Sequence, residues 1–193
     1  MRKYQLYILC GVTVICFPLL GWVINAIFSE HSFWDQFNST YHIAVQLLIG
    51  GLYGCFSGLI CWFIIRSRLM EATRAKYVDR IKALGLNNIE IILVSICAGI
   101  GEEILFRGIL QDYMGVVLTS IVFVGIHGYF TTKHWSIFLY GLAMTVIIVG
   151  IGFAYVEMGV IAPIVAHTII DVILLYLISK YEDTASGADP ISI

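Results

Sequence analysis

The chain has 193 residues, of which 60% are hydrophobic and only 12% charged, with a net charge of −2. A soluble domain carries roughly 25% charged and about 45–50% apolar residues, so the composition excludes an ordinary globular domain and points to an integral membrane protein. No basic stripe interleaved with aromatics lies outside one short linker, which argues against nucleic acid and leaves the lipid bilayer as the surrounding partner.

Apolar segments run over residues 4–28, 41–65, 89–110, 116–130, 137–156 and 160–179. Each is near the ~20 residues a helix needs to cross ~30 Å of hydrocarbon. The expected fold is all-α: one polytopic transmembrane helical bundle of about six spans. Two leading spans occupy 4–65, a basic linker 66–88, a core of the last four helices 89–179, and a flexible tail 180–193. The first segment follows Arg2 and Lys3 as a signal peptide would. Its apolar run is long and no small-x-small cleavage pattern follows, so an uncleaved span is expected.

Arg66, Arg68, Arg74, Lys76, Arg80 and Lys82 crowd the linker, and Lys133 and Lys180 follow the fourth and sixth segments. Residues 29–40 hold neither Lys nor Arg. By the positive-inside bias both termini face the cytoplasm of a cell membrane. The linker reads either as an amphipathic helix lying on the anionic leaflet or, preferably, as a solvated connector ending at Gly85. The tail 182–193 is polar and is expected to fray.

All 5 cysteines fall in apolar spans, without a CxxC pair, and read as small buried hydrophobes. Gly50, Gly54 and Gly58 recur every four residues, which makes a face for close helix packing.

The sequence 101–107 (Gly-Glu-Glu-Ile-Leu-Phe-Arg) places three formal charges in an apolar segment. Ionisable groups at such depth are costly and are kept mainly where they pair, line a wet cavity or do chemistry. His127, His167 and Asp171 are equally out of place, and Asn25 sits in the first span. At ~1.5 Å per residue, Glu102 lies ~13 Å, His127 ~18 Å, His167 ~12 Å and Asp171 ~18 Å below the outer ends of their helices. Groups from three helices thus reach similar depth and are expected to converge.

Spacing assigns roles. Glu103 and Arg107 are i,i+4, the geometry of a carboxylate–guanidinium pair. Glu102 is turned about 100° away and reads as the freer carboxylate. His167 and Asp171 are also i,i+4, so Asp171 is placed to orient the histidine. A carboxylate with a histidine deprotonates water, and a second histidine donates to an oxyanion. That describes peptide hydrolysis without a nucleophilic side chain: Ser95 and Ser120 lack a GxSxG setting, and Cys97 faces away from Glu102. The readings left open are zinc held by Glu102, His127 and His167, though without HExxH spacing, and a non-catalytic proton-coupled carrier or immunity protein. A packing network of buried polar groups is the bland alternative.

Glu102-Glu103-x-x-x-Arg107, then Phe123-x-x-x-His127, then His167-x-x-x-Asp171 resembles the three-motif signature of the CPBP family. These are the CAAX-prenyl-protease and bacteriocin-processing intramembrane endopeptidases, also labelled abortive-infection proteins. The resemblance covers roughly residues 89–179. It implies a glutamate-type intramembrane protease with no cofactor, acting on a membrane-associated peptide or protein precursor. Glu102 and His127 would activate water, while His167 and residue 171 stabilise the oxyanion. Phe130-x-x-x-His134 also fits the second motif but runs into the Lys133 loop. The last position is often Asn in the family, so Asp171 departs from the pattern. The short chain looks more like a bacterial member than the larger eukaryotic prenyl-protein processor.

Overall fold

The computed structural model describes residues 3–181, apart from the side chains of residues 76 and 77. Arg2 and the tail 182–193 lie outside the described residues. Helices α1 (Lys3–Phe28), α2 (Ile43–Arg66), α3 (Glu71–Lys82), α4 (Asn88–Leu105), α5 (Gln111–Ile126), α6 (Trp135–Met158) and α7 (Ile161–Lys180) form an all-α bundle. Short 3-10 turns cover Phe33–Phe37 and Arg68–Met70.

Among the described residues, four helices, α1, α2, α6 and α7, are long and apolar enough to cross a membrane. The other two expected spans are also helical, as α4 and α5, but are shorter or carry more charge. Helix α4 carries Glu90, Glu102 and Glu103 within 18 residues. It runs on through a π turn, Phe106–Leu110, into α5, where Gly115 breaks the direction at φ 74°. Only residues 116–126 of α5 remain beyond that kink, about 16 Å of helix. The fourth segment therefore stops short of the expected 130, because His127 already caps the helix and Gly128 turns away with φ 79°.

Packing follows from small residues at helix crossings. A Cβ on Gly50 or Gly54 would come within 2.5 or 2.6 Å of the Ala162 or Ala166 carbonyl, so the expected glycine face receives α7. Gly99 and Gly101 do the same for α4: a Cβ there would meet Thr168 Oγ1 at 2.3 Å or the Thr13 carbonyl at 2.2 Å. Helices α7 and α1 therefore close in on α4 immediately beside the carboxylates. At the start of α4, Asn87 and Glu90 make a reciprocal capping box. Glu90 also accepts from Tyr7 and pairs with Lys3 at 2.8 Å, tying down the start of α1. Outward-facing Ile8, Ile15, Leu19 and Ile27 are exposed, as lipid-facing side chains must be.

The linker differs from the preferred reading of a solvated connector. It folds as α3 and buries Met70, Thr73 and Val78 against the bundle, Val78 in a cluster with Trp62 and Ile178. Gly85, at φ 59°, follows it. All five cysteines are free thiols; Cys16 and Cys55 are exposed on outward faces and not buried as expected. Asn25, near the end of α1, donates to the His31 carbonyl at 2.9 Å and takes no part in the polar cluster.

Candidate active site

Helix α4 delivers two adjacent carboxylates to different surroundings. Glu103 and Arg107, both 0% exposed, pair through Oε2 and Nε at 3.1 Å. The spacing i,i+4 and burial by α1 and α7 make this the expected internal ion pair. Glu103 Oε1 accepts a second bond, 2.7 Å from His167 Nδ1 on α7. Sequence spacing did not reveal that contact, since it joins residues 64 apart. Glu103 thus joins Asp171 as a carboxylate beside His167, and because a carboxylate only accepts it fixes a proton on Nδ1.

The other ring nitrogen, His167 Nε2, faces Asp171 Oδ2 at 3.5 Å and Glu102 Oε2 at 4.0 Å. His127 arrives from the end of α5. Its Nδ1 lies 2.7 Å from the Phe123 carbonyl, one turn back, and must donate to it. Its Nε2 is thereby turned towards Glu102 Oε2, 3.6 Å away. Both histidines thus commit Nδ1 to a fixed acceptor and present Nε2 to the same carboxylate oxygen. That oxygen makes no hydrogen bond among the described residues, at separations too long for direct bonds.

An aromatic wall holds the rings. Phe123 lies 4.6 Å from the His127 ring, 5.7 Å from the His167 ring and 5.3 Å under the Arg107 guanidinium. Phe106 meets it edge-on at 5.0 Å, and Tyr129 stacks on the outer face of His127 at 6.3 Å. Repeated contact with one ring fixes three polar groups at once. Five-residue windings such as 106–110 recur at functional sites; here the π turn carries Arg107 directly after the carboxylates.

Glu102, Glu103, Arg107, His127, His167 and Asp171 are therefore gathered from α4, the π turn, α5 and α7. His134 is not among them: it caps α6 and is exposed in the loop. Among the described residues, no three His, Cys, Asp or Glu side chains group as a metal-binding set. A cavity of about 390 Å³ opens beside the cluster, with His127 and Asp171 in its wall.

Known proteins resemble this segment. Residues 85–173 match the family described as type II CAAX prenyl endopeptidase Rce1-like. The uncharacterized protein YpbD of Bacillus subtilis (strain 168) is 32% identical over 84 residues, which cover 43% of this chain and 42% of that relative. The match thus spans less than half of the curated relative's length. No solved structure matches the chain. All six clustered residues fall inside the matched stretch, so the part of the chain that is similar to the Rce1-like type II CAAX prenyl endopeptidases is the part that carries the cluster.

Proposed function

We propose that the protein is a glutamate-type intramembrane endopeptidase that hydrolyses a peptide bond in a membrane-associated peptide or protein precursor. The observation that carries this reading is the convergence of His127 Nε2 and His167 Nε2 on Glu102 Oε2, at 3.6 and 4.0 Å. A water between these groups would lie within hydrogen-bonding reach of each.

In the proposed step, Glu102 with His127 takes a proton from that water. The hydroxide attacks the peptide carbonyl carbon and forms a tetrahedral oxyanion. His167, protonated on Nε2, donates to this oxygen while Glu103 holds Nδ1 and Asp171 stands beside the ring. Collapse breaks the carbon–nitrogen bond, and the proton held by Glu102 and His127 passes to the leaving nitrogen. The products are a carboxylic acid and an amine. The Glu103–Arg107 pair fixes the geometry without touching substrate. Arg107 also supplies permanent positive charge one turn from Glu102, and the reaction as drawn uses no metal.

We infer a bacterial cell membrane with both termini cytoplasmic, which would put α3, whose residues line the cavity, at the cytoplasmic side. The test is reconstitution of full-length protein in liposomes with a precursor peptide in ¹⁸O-water. Wild-type protein is expected to release a fragment whose new carboxyl terminus carries one ¹⁸O. Uncut peptide combined with pH-dependent solute movement would favour a proton-coupled carrier instead. Activity lost to chelator and restored by zinc would replace the metal-free step.

A further inference from the structure

The cavity beside the site is not bounded by the family-matched segment alone. Met70, Arg74, Val78 and Ile81 all line it. Their spacing of four, four and three residues places them on one face of α3 and its entry turn. The opposite face of α3, with Glu71, Asp79, Arg80 and Lys82, is exposed. The helix is pinned at both neighbours: Thr73 Oγ1 lies 3.3 Å from Ser136 Oγ, and Arg74 donates to the Arg66 carbonyl at 3.0 Å. Apart from Arg74 this side is apolar: Met70 and Val78 are almost wholly buried against the bundle, and half-buried Ile81 continues the wall where the cavity opens.

The cavity joins this face to the chemistry. Along α7 its wall includes Asp171, Leu174 and Ile178. Seven residues of helix separate Asp171 from Ile178, roughly 10 Å. An extended peptide rises about 3.3 Å per residue, so that length holds two or three residues.

We propose that α3 builds the specificity seat of the site: Met70, Val78 and Ile81, facing Leu174 and Ile178, receive a bulky apolar side chain two or three residues from the scissile bond. This rests on the hydrolase reading above. Since α3 precedes the matched residues 85–173, the seat is a property of this chain's own linker. The apolar walls select branched or aromatic side chains. Small or charged side chains at that substrate position leave the seat unfilled or bury a charge without a partner.

The test separates seat from chemistry. Full-length Glu102→Gln protein in nanodiscs is exposed to membrane-partitioning peptides carrying photo-leucine at single positions, and labelled residues are mapped by mass spectrometry. One or two peptide positions are expected to label Val78, Ile81 or Leu174, with about tenfold less label in Val78→Phe. In wild-type protein, Val78→Phe and Ile81→Phe lower kcat/KM about ten- to a hundredfold for peptides with Leu at that position, through KM, and spare those with Ala. Val78→Ala, which needs no extra room, shifts preference towards Phe and keeps the test open if the larger variants fail to fold. Label spread over the lipid-facing side of α1, or unchanged preference in every variant, overturns the seat. A peptide labelled at α3 but never cut by wild-type protein overturns the hydrolase reading and leaves the seat standing.

Discussion

Glu102 and Glu103 are neighbours on one helix, yet they occupy two different regions of the molecule. Glu103 lies on the closed side, fully buried and bonded to both Arg107 and His167. Glu102 lies on the open side, 16% exposed, with one oxygen facing two imidazole nitrogens and bonded to neither. The first carboxylate is neutralised by its neighbours, and the second is kept available. A rotation of about 100° on the helix separates the two carboxylates: Glu103 turns to Arg107 and His167, while Glu102 turns to the side where His127 and Asp171 line the cavity.

Breaking the closed side is expected to cost the most stability. Glu103→Gln leaves Arg107 buried without its carboxylate and takes the charged acceptor from His167 Nδ1, a loss of about 3–5 kcal/mol measurable by unfolding in mixed micelles. On the open side, His127→Ala should lower the rate by about 10²–10⁴-fold. Its unfolding midpoint should barely move, since the ring is 35% exposed. Between the regions, Gly101→Ala would press a methyl group against the Thr13 carbonyl. It should destabilise the protein by about 1–3 kcal/mol by displacing α1, with a smaller loss of rate than His127→Ala. Asp171→Asn keeps the side chain's shape and removes only its charge. Because Glu103 keeps its bond to His167 Nδ1 in this variant, the rate should stay within about tenfold of wild type. Exhaustive chelation should leave peptide cleavage unchanged; restoration of a lost rate by zinc would sink the metal-free step.

Much of this division was legible in the sequence because it depends on spacing. The i,i+4 rule linked Glu103 to Arg107 and His167 to Asp171, and both pairs are within ion-pair distance. The long apolar helices α1, α2, α6 and α7 begin and end within two residues of the expected bounds, since hydrophobic length sets them. What spacing does not encode is rotamer choice between helices. The Glu103–His167 bond arises only when α7 is drawn onto Gly99. The early end of α5 had a readable signal in Gly128, which lets the chain turn just after His127. The linker was misread because its polar outer face dominates its composition, while its apolar face holds only a few residues.

In the proposed step Glu102 works and Glu103 braces, and the two roles separate when Glu102→Gln and Glu103→Gln are taken side by side. Unfolding midpoint and cleavage of one precursor peptide would be read on the same preparations. Glu102→Gln is expected to fold like wild type and be inactive, whereas Glu103→Gln is strongly destabilised. A Glu102→Gln protein that cuts the peptide at the wild-type rate would contradict the proposed step.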